Sequence, residues 1–166
     1  MREIFFVVYF SIVTILVVFG LHRYALLYLY YRNCRKNTPK KVESGILPRV
    51  TIQLPIYNES RVIEKLIKGV CNLDYPKNLL QIQVLNDSDD ETIDIAENLV
   101  SEARKVGFNI VHNIRHQRIG FKAGALAEGL AGAAGEFIAI FDADFIPHPS
   151  FLREALPYFT SDEIGM

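Results

Sequence analysis

The chain has 166 residues, half of them apolar, and a formal net charge of −1. That length suffices for one domain with a real core plus an appendage, and the near-neutral balance removes any overall electrostatic case for nucleic acid as a partner. Two cysteines, Cys34 and Cys71, have neither metal-ligand spacing nor a disulfide framework around them, which fits a reducing compartment.

The apolar excess is concentrated at the N-terminus. Residues 4–20 carry no charge, and apolar character resumes after His22-Arg23 with Tyr24 to Tyr31. A membrane helix needs about 20 apolar residues. Residues 4–21 nearly supply them, and Tyr28, Tyr30 and Tyr31 read as an interfacial belt. A cleavable signal peptide fits poorly, because the charged start is one Arg beside a Glu, the apolar stretch is too long and no small-x-small site follows. The run is also too long and too uniformly apolar for a helix buried in a soluble core. Residues 1–32 are therefore read as a transmembrane anchor. Arg23, Arg32, Arg35, Lys36, Lys40 and Lys41 follow the span and only Arg2 precedes it. The positive-inside rule then places the N-terminus outside or in a lumen and the rest of the chain in the cytoplasm, at a cell membrane or endomembrane. Residues 33–48, with Thr38-Pro39, Ser44-Gly45 and Pro48, read as a basic cytoplasmic linker whose charges can meet membrane lipid headgroups.

From Val50 the pattern alternates. Val50 to Leu54 is a short strand ended by Pro55. Asn58-Glu59-Ser60 offers helix caps, and Val62, Ile63, Leu66, Ile67 and Val70 form a helical apolar stripe that Tyr75-Pro76 breaks. Gln81 to Leu85 is a second strand. Ser88-Asp89-Asp90-Glu91 has the pattern of a capping box with Ser88 at the cap, and Asp89 and Asp90 read as first-turn helix charges. Ile93, Ala96, Leu99, Val100 and Ala103 give this helix a buried face, and Gly107 closes it. Phe108 to His112 is a third strand, and the Ala- and Gly-rich stretch from Gly120 to Ala134 a third helix. Phe137 to Phe141 is a continuous apolar run, which reads as a strand buried on both faces. A last helix is expected near Ser150 to Phe159. Strands separated by helices imply parallel crossovers and a doubly wound α/β sheet.

The polar signals fall at the strand ends. Pro55 to Glu59 follows the first strand, Asn86-Asp87-Ser88 the second and Asp142-Ala143-Asp144 the fourth. In a parallel sheet those ends face one cleft. Strand geometry continued through Asp144 would put Asp142 and Asp144 on one face, where two carboxylates can share a hard divalent cation. An acidic turn before a helix accounts for the pair alone equally well. Arg115 to Leu126 adds a basic, Gly-containing stretch at a helix start, with Arg118 and Lys122 positioned for phosphate. His112, His116 and His148 are scattered without metal spacing and receive no catalytic role. Neither a P-loop nor a G-x-G-x-x-G motif is present. A carboxylate pair facing a basic helix start points to a cation-bridged diphosphate, and so to transfer from a nucleoside diphosphate or to nucleotidyl transfer.

Leu54-Pro55-Ile56-Tyr57-Asn58-Glu59, Val84-Leu85-Asn86-Asp87-Ser88, Arg118-x-Gly120-Phe121-Lys122-Ala123-Gly124-Ala125-Leu126 and Asp142-Ala143-Asp144 together resemble the family 2 glycosyltransferases, in particular the cellulose synthase and glucomannan synthase-like membrane branch. The resemblance runs in order from about Arg49 to Phe159. It implies a GT-A fold, a Rossmann-like and mostly parallel sheet with flanking helices, as the nucleotide-sugar-binding part of the chain over residues 49–166. It further implies an inverting hexosyltransferase that takes a UDP-glucose or GDP-mannose type donor, uses Mg2+ or Mn2+, and extends a saccharide or polysaccharide acceptor. Tyr57 and Glu59 would border the nucleoside, Asp87 contact the base and Lys122 lie along the donor near its phosphates. Asp144 would bind the metal, and Asp142 the metal or ribose.

The chain departs from the pattern in two places. Asn86 stands where many relatives have Asp, which keeps an acceptor oxygen without the charge. The Thr-Glu-Asp-like motif that carries the family's catalytic base and its Gln-x-x-Arg-Trp-like motif are not present, so the base is expected beyond Met166 in a longer protein. A nucleotidyltransferase and a non-catalytic nucleotide-sugar-binding fragment are the alternatives.

Overall fold

The computed structural model describes residues 1–34 and 47–159, which fall into two compact units. The first contains one helix, α1 (Arg2–Cys34), whose residues are exposed wherever their side chains are described. The tyrosine-rich stretch continues it without a break. Its most apolar 18-residue window has a mean hydropathy of 2.8, so α1 is long and apolar enough to cross a membrane. The linker expected at residues 33–48 falls largely on residues 35–46, outside the described residues.

The second unit alternates strand and helix: β1 (Val50–Ile56), α2 (Ile63–Cys71), β2 (Leu80–Asn86), α3 (Thr92–Lys105), β3 (Asn109–Ile114), α4 (Phe121–Ala131), β4 (Phe137–Ile140) and α5 (Phe151–Ala155). The strands form one parallel sheet in the order β3-β2-β1-β4. The chain moves outward from β1 to β3 and then returns to the other side of β1. The switch point of the sheet therefore lies between β1 and β4, where doubly wound sheets open a crevice at their C-terminal ends.

Two different faces cover the sheet. Ile52, Leu54, Ile82, Val84 and Ile110 are buried in one core with Ile63, Leu66, Ile67 and Val70 of α2 and Ala96, Val100 and Ala103 of α3. The helical stripes in the sequence are these contacts. Gly107 ends α3 at φ +91°, its N–H bonded to the Arg104 carbonyl, as the C-terminal glycine signal predicts. On the opposite face, under α4, Thr51, Gln53 and Gln83 are buried beside Leu85. Thr51 donates to Gln81 at 2.8 Å and Gln53 to Gln83 at 3.0 Å. Gln81 in turn donates to the Gly132 carbonyl and accepts the Ala134 N–H, and Thr51 Oγ1 accepts the Gly135 N–H. This ladder anchors the turn between α4 and β4.

Four expectations need correction. β4 is not buried on both faces. It is an edge strand among the described residues, and Ile138 and Ile140 are 38% and 44% exposed. The reason is that α4 packs over β1 and β2 and leaves the β4 flank uncovered. Strand geometry also stops at Ile140, and Asp142 and Asp144 sit in a turn closed by Phe145 N–H to the Asp142 carbonyl at 3.0 Å. Finally, Ser88 does not cap α3, which begins at Thr92. Asp90 takes the Thr92 N–H, while Ser88 Oγ accepts the Asn58 N–H across the strand ends at 2.8 Å. Asn58-Glu59-Ser60 likewise gives α2 no side-chain cap, since the helix starts at Ile63 and the Glu59 carbonyl takes the first amides.

Gly135 lies so close to β1 that a Cβ there would overlap the Thr51 amide nitrogen, whereas Gly107 has open space and only a left-handed backbone. Gly135→Ala should therefore lower stability by about 3 kcal/mol, the upper range of overpacking, and Gly107→Ala by about 1 kcal/mol. Urea unfolding of the two variants followed by circular dichroism should show that order.

Candidate active site

Three backbone hydrogen bonds extend the sheet beyond its strands. Asp87 N–H bonds the Ile56 carbonyl at 2.9 Å, Phe141 N–H the Gln53 carbonyl at 3.2 Å, and Arg115 N–H the Asn86 carbonyl at 2.9 Å. They bring the segments after β1, β2, β3 and β4 to one end of the sheet. A cleft of about 360 Å³ opens there, lined by Tyr57, Glu59, Asp87, Arg118, Lys122, Asp142 and Asp144 over an apolar floor of Pro55, Ile56, Leu85 and Ala125. Every site residue expected from the sequence lines this one cleft.

Asp87 is the buried member, with a side chain 4% exposed. The fork of Arg115 grips it, Nε on Oδ1 at 2.8 Å and Nη2 on Oδ2 at 3.0 Å. A carboxylate out of water needs such a partner. In the sequence Arg115 is one cation among several in a basic stretch, because its partner lies far away in the chain. Asn86 turns away from the cleft. Its Oδ1 accepts the Ser88 N–H and its amide nitrogen faces His112.

Arg118 lies over the Tyr57 ring, 3.3 Å from guanidinium carbon to ring centroid, and 5.3 Å from the Phe121 ring centroid. Its Nε is buried and has no hydrogen-bond partner among the described residues, and it sits 3.9 Å from Asp87 Oδ2. Lys122, in the first turn of α4, pairs with Asp142. Asp142 and Asp144 are exposed on the rim.

The backbone is special at two points of this rim. Asn58 has φ +53°, a conformation Asn tolerates, and its side chain is held there by a reciprocal pair of bonds with Asp89. Gly120 and Phe121 are both left-handed, at φ +74° and +50°, where the chain turns into α4. Gly124 makes that turn possible, since a Cβ on it would overlap the Ile119 carbonyl oxygen.

Residues 51–166 match the family model for Glycosyl transferase family 2. The chain belongs to glycosyltransferase family 2. It is 41% identical over 123 residues to glucomannan 4-beta-mannosyltransferase 2 of Arabidopsis thaliana, a match covering 72% of this chain and 23% of the relative. It is 45% identical over 120 residues to glucomannan 4-beta-mannosyltransferase 1 of Oryza sativa subsp. japonica, covering 69% of this chain and again 23% of the relative. The chain thus spans about a quarter of the length of these relatives. Among solved structures, a mannosyltransferase from Pyrobaculum calidifontis in complex with GDP-Man and Mn2+ superimposes with a TM-score of 0.68 at 28% identity, over 90% of this chain and 44% of that one. S. aureus TarS residues 1–349 share the fold at a TM-score of 0.58 and 23% identity, over 67% of this chain and 32% of that one. The sheet is that of a GT-A domain, and the cellulose synthase-like branch inferred from the motifs holds.

Removing one partner from a buried ion pair leaves an uncompensated charge, at a cost of about 3–5 kcal/mol. Arg115→Ala should therefore destabilise the α/β domain by about that much. Arg115→Lys, which keeps the charge but not the fork, should fall between it and the wild type in chemical denaturation.

Proposed function

We propose that this chain is the membrane anchor and donor-binding part of an inverting glycosyltransferase, which moves a hexose from a nucleotide-diphosphate sugar to a growing β-glycan or other saccharide acceptor. The observation that carries this reading is the convergence of Tyr57, Glu59, Asp87, Arg118, Lys122, Asp142 and Asp144 on one cleft at the switch point. Tyr57 and Asp87 offer the nucleoside an aromatic face and a held carboxylate. Arg118, Lys122 and the start of α4 offer the diphosphate positive charge. The mannosyltransferase matches in sequence and structure favour GDP-mannose over UDP-glucose as the donor.

Asp142 and Asp144 provide oxygen donors of the kind a hard divalent cation takes. No group of three or more His, Cys, Asp or Glu among the described residues forms a closed cage. Asp142 and Asp144 would hold such a cation, Mn2+ or Mg2+, which would supply charge neutralisation on the leaving diphosphate. Lys122 complements it as a point charge beside Asp142. The acceptor hydroxyl requires a general base, and none of the described residues is assigned that role. The helix α1 would hold the domain at a membrane, with the basic residues after it on the cytoplasmic side.

Calorimetric titration of GDP in the presence of Mn2+ tests the site. Asp144→Asn should abolish the Mn2+-dependent part of the binding. Lys122→Gln should weaken GDP about tenfold, the worth of one charge-assisted hydrogen bond, and leave the Mn2+ requirement in place. Metal-independent GDP binding that Asp144→Asn leaves unchanged would sink the reading.

A further inference from the structure

Behind the cleft, a polar chain runs from the surface to the Asp87 loop. The His112 side chain on β3 is 1% exposed, and its Nδ1 lies 2.7 Å from Oε2 of Glu97 on α3. Its Nε2 lies 3.1 Å from Nδ2 of Asn86 at the end of β2. The Asn86 amide is not free to turn, because its Oδ1 accepts the Ser88 N–H at 3.0 Å. Its NH2 therefore faces the ring as a donor, and Nε2 has to accept. A carboxylate at Nδ1 calls for a proton on that nitrogen. The two partners thus specify one and the same neutral tautomer, Nδ1–H.

The other groups packed around the ring leave this assignment intact. Contact with His112 holds the Glu97 carboxyl below its ordinary range, with a smaller contribution from Arg104. Arg104 on α3 spends its Nε on the Ile110 carbonyl at 2.8 Å, and Arg115, at the end of β3, bonds Asp87.

We propose that Asn86 and His112 are positioning residues for the Asp87 loop, and that they hold it only while His112 is neutral. The inference rests on the reading of the cleft as a nucleotide-diphosphate site. Asn86 fixes Ser88, and Ser88 Oγ accepts the Asn58 N–H. The clamp thus reaches both Asp87 and the loop that carries Tyr57 and Glu59. When His112 takes a proton, Nε2–H confronts the Asn86 NH2. Turning the amide over satisfies the imidazolium but sets NH2 against the Ser88 N–H. Either way a buried hydrogen bond is lost and the loop loosens. An aspartate at position 86 would do the reverse, because its second oxygen would accept Nε2–H and protonation would tighten the clamp.

The test uses the full chain in nanodiscs with two readouts. Imidazole 15N NMR across pH reads the tautomer and titration of His112, and the Ser88 and Asn58 amide resonances read the loop. Calorimetry with GDP and Mn2+ reads the cleft. The expected results are an Nδ1–H tautomer at neutral pH and Ser88 and Asn58 amides that move as His112 titrates. GDP affinity should fall about fivefold on acidification through the same interval, the equivalent of one ordinary hydrogen bond. In Asn86→Asp the sense of that pH dependence should reverse. An Nε2–H tautomer, a ring that stays neutral down to about pH 5, amides that stay still while His112 titrates, or an unchanged pH dependence in Asn86→Asp would each overturn the proposal. Failure of GDP to bind at every pH would count against the donor-site reading instead, and the NMR readout would still decide the positioning pair.

Discussion

The bond from Asp87 N–H to the Ile56 carbonyl, together with its counterparts at Phe141 and Arg115, is the constraint on which the cleft depends. A parallel sheet delivers all its C-terminal ends to one side, but delivery alone leaves those ends as loops. By continuing the ladder one residue past β2, β3 and β4, these bonds lock the backbone where the side chains must begin to face a ligand. Asp87 then points into the cleft from a backbone that cannot sag, and Asp142 follows immediately after a residue whose amide is fixed to β1. The site is as rigid as the sheet up to that residue and becomes a turn only at Asp142.

Rigidity has an electrostatic counterpart. Asp87 is held almost out of water, where an unpaired carboxylate would be expensive. The Arg115 fork compensates it on both oxygens, and this leaves Arg118 and Lys122 as the cations of the cleft rim. A division of labour results. Arg115 pairs with the buried carboxylate and orients it. Arg118, stacked on Tyr57 with its Nε unsatisfied, and Lys122, paired with an exposed aspartate, retain charge that a phosphate could engage.

Much of this was legible in the sequence, and the misses have physical causes. The stripes Ile63, Leu66, Ile67, Val70 and Ala96, Val100, Ala103 identified their helices because burial against one sheet face imposes the helical period. That these residues share one cleft was readable because strand ends in a parallel sheet must converge. What could not be read was whatever depended on a partner far along the chain. Ser88 has the local pattern of a helix cap, yet its hydroxyl serves Asn58, on a neighbouring strand end. Arg115 looked like one charge in a basic stretch until the fold put Asp87 beside it. His112 looked like a stray histidine until β2 and α3 enclosed it. The run from Phe137 to Phe141 misled for a different reason. An apolar strand reports that its residues avoid water, not which neighbour covers them, so its place at the flank left by α4 could not be inferred.

The composition of α4 links packing to the chemistry of the rim. Its inner face carries Ala125 and Gly129, and a Cβ on Gly129 would press on the Gln53 amide and the Leu85 methyls. Larger residues would lift the helix from β1 and β2. Because the face is so small, the helix sits directly on the Gln53–Gln83 pair, and Gln53 can reach toward the Leu126 carbonyl at 3.5 Å. The height of the helix above the sheet sets where its first turn ends, and Lys122 lies in that first turn. An Ala- and Gly-rich helix with weak amphipathic character is thus not a loosely specified element. Its small side chains are what bring a lysine and the positive end of a helix dipole down to the level of Asp142, so that the cation and the carboxylates share one cleft.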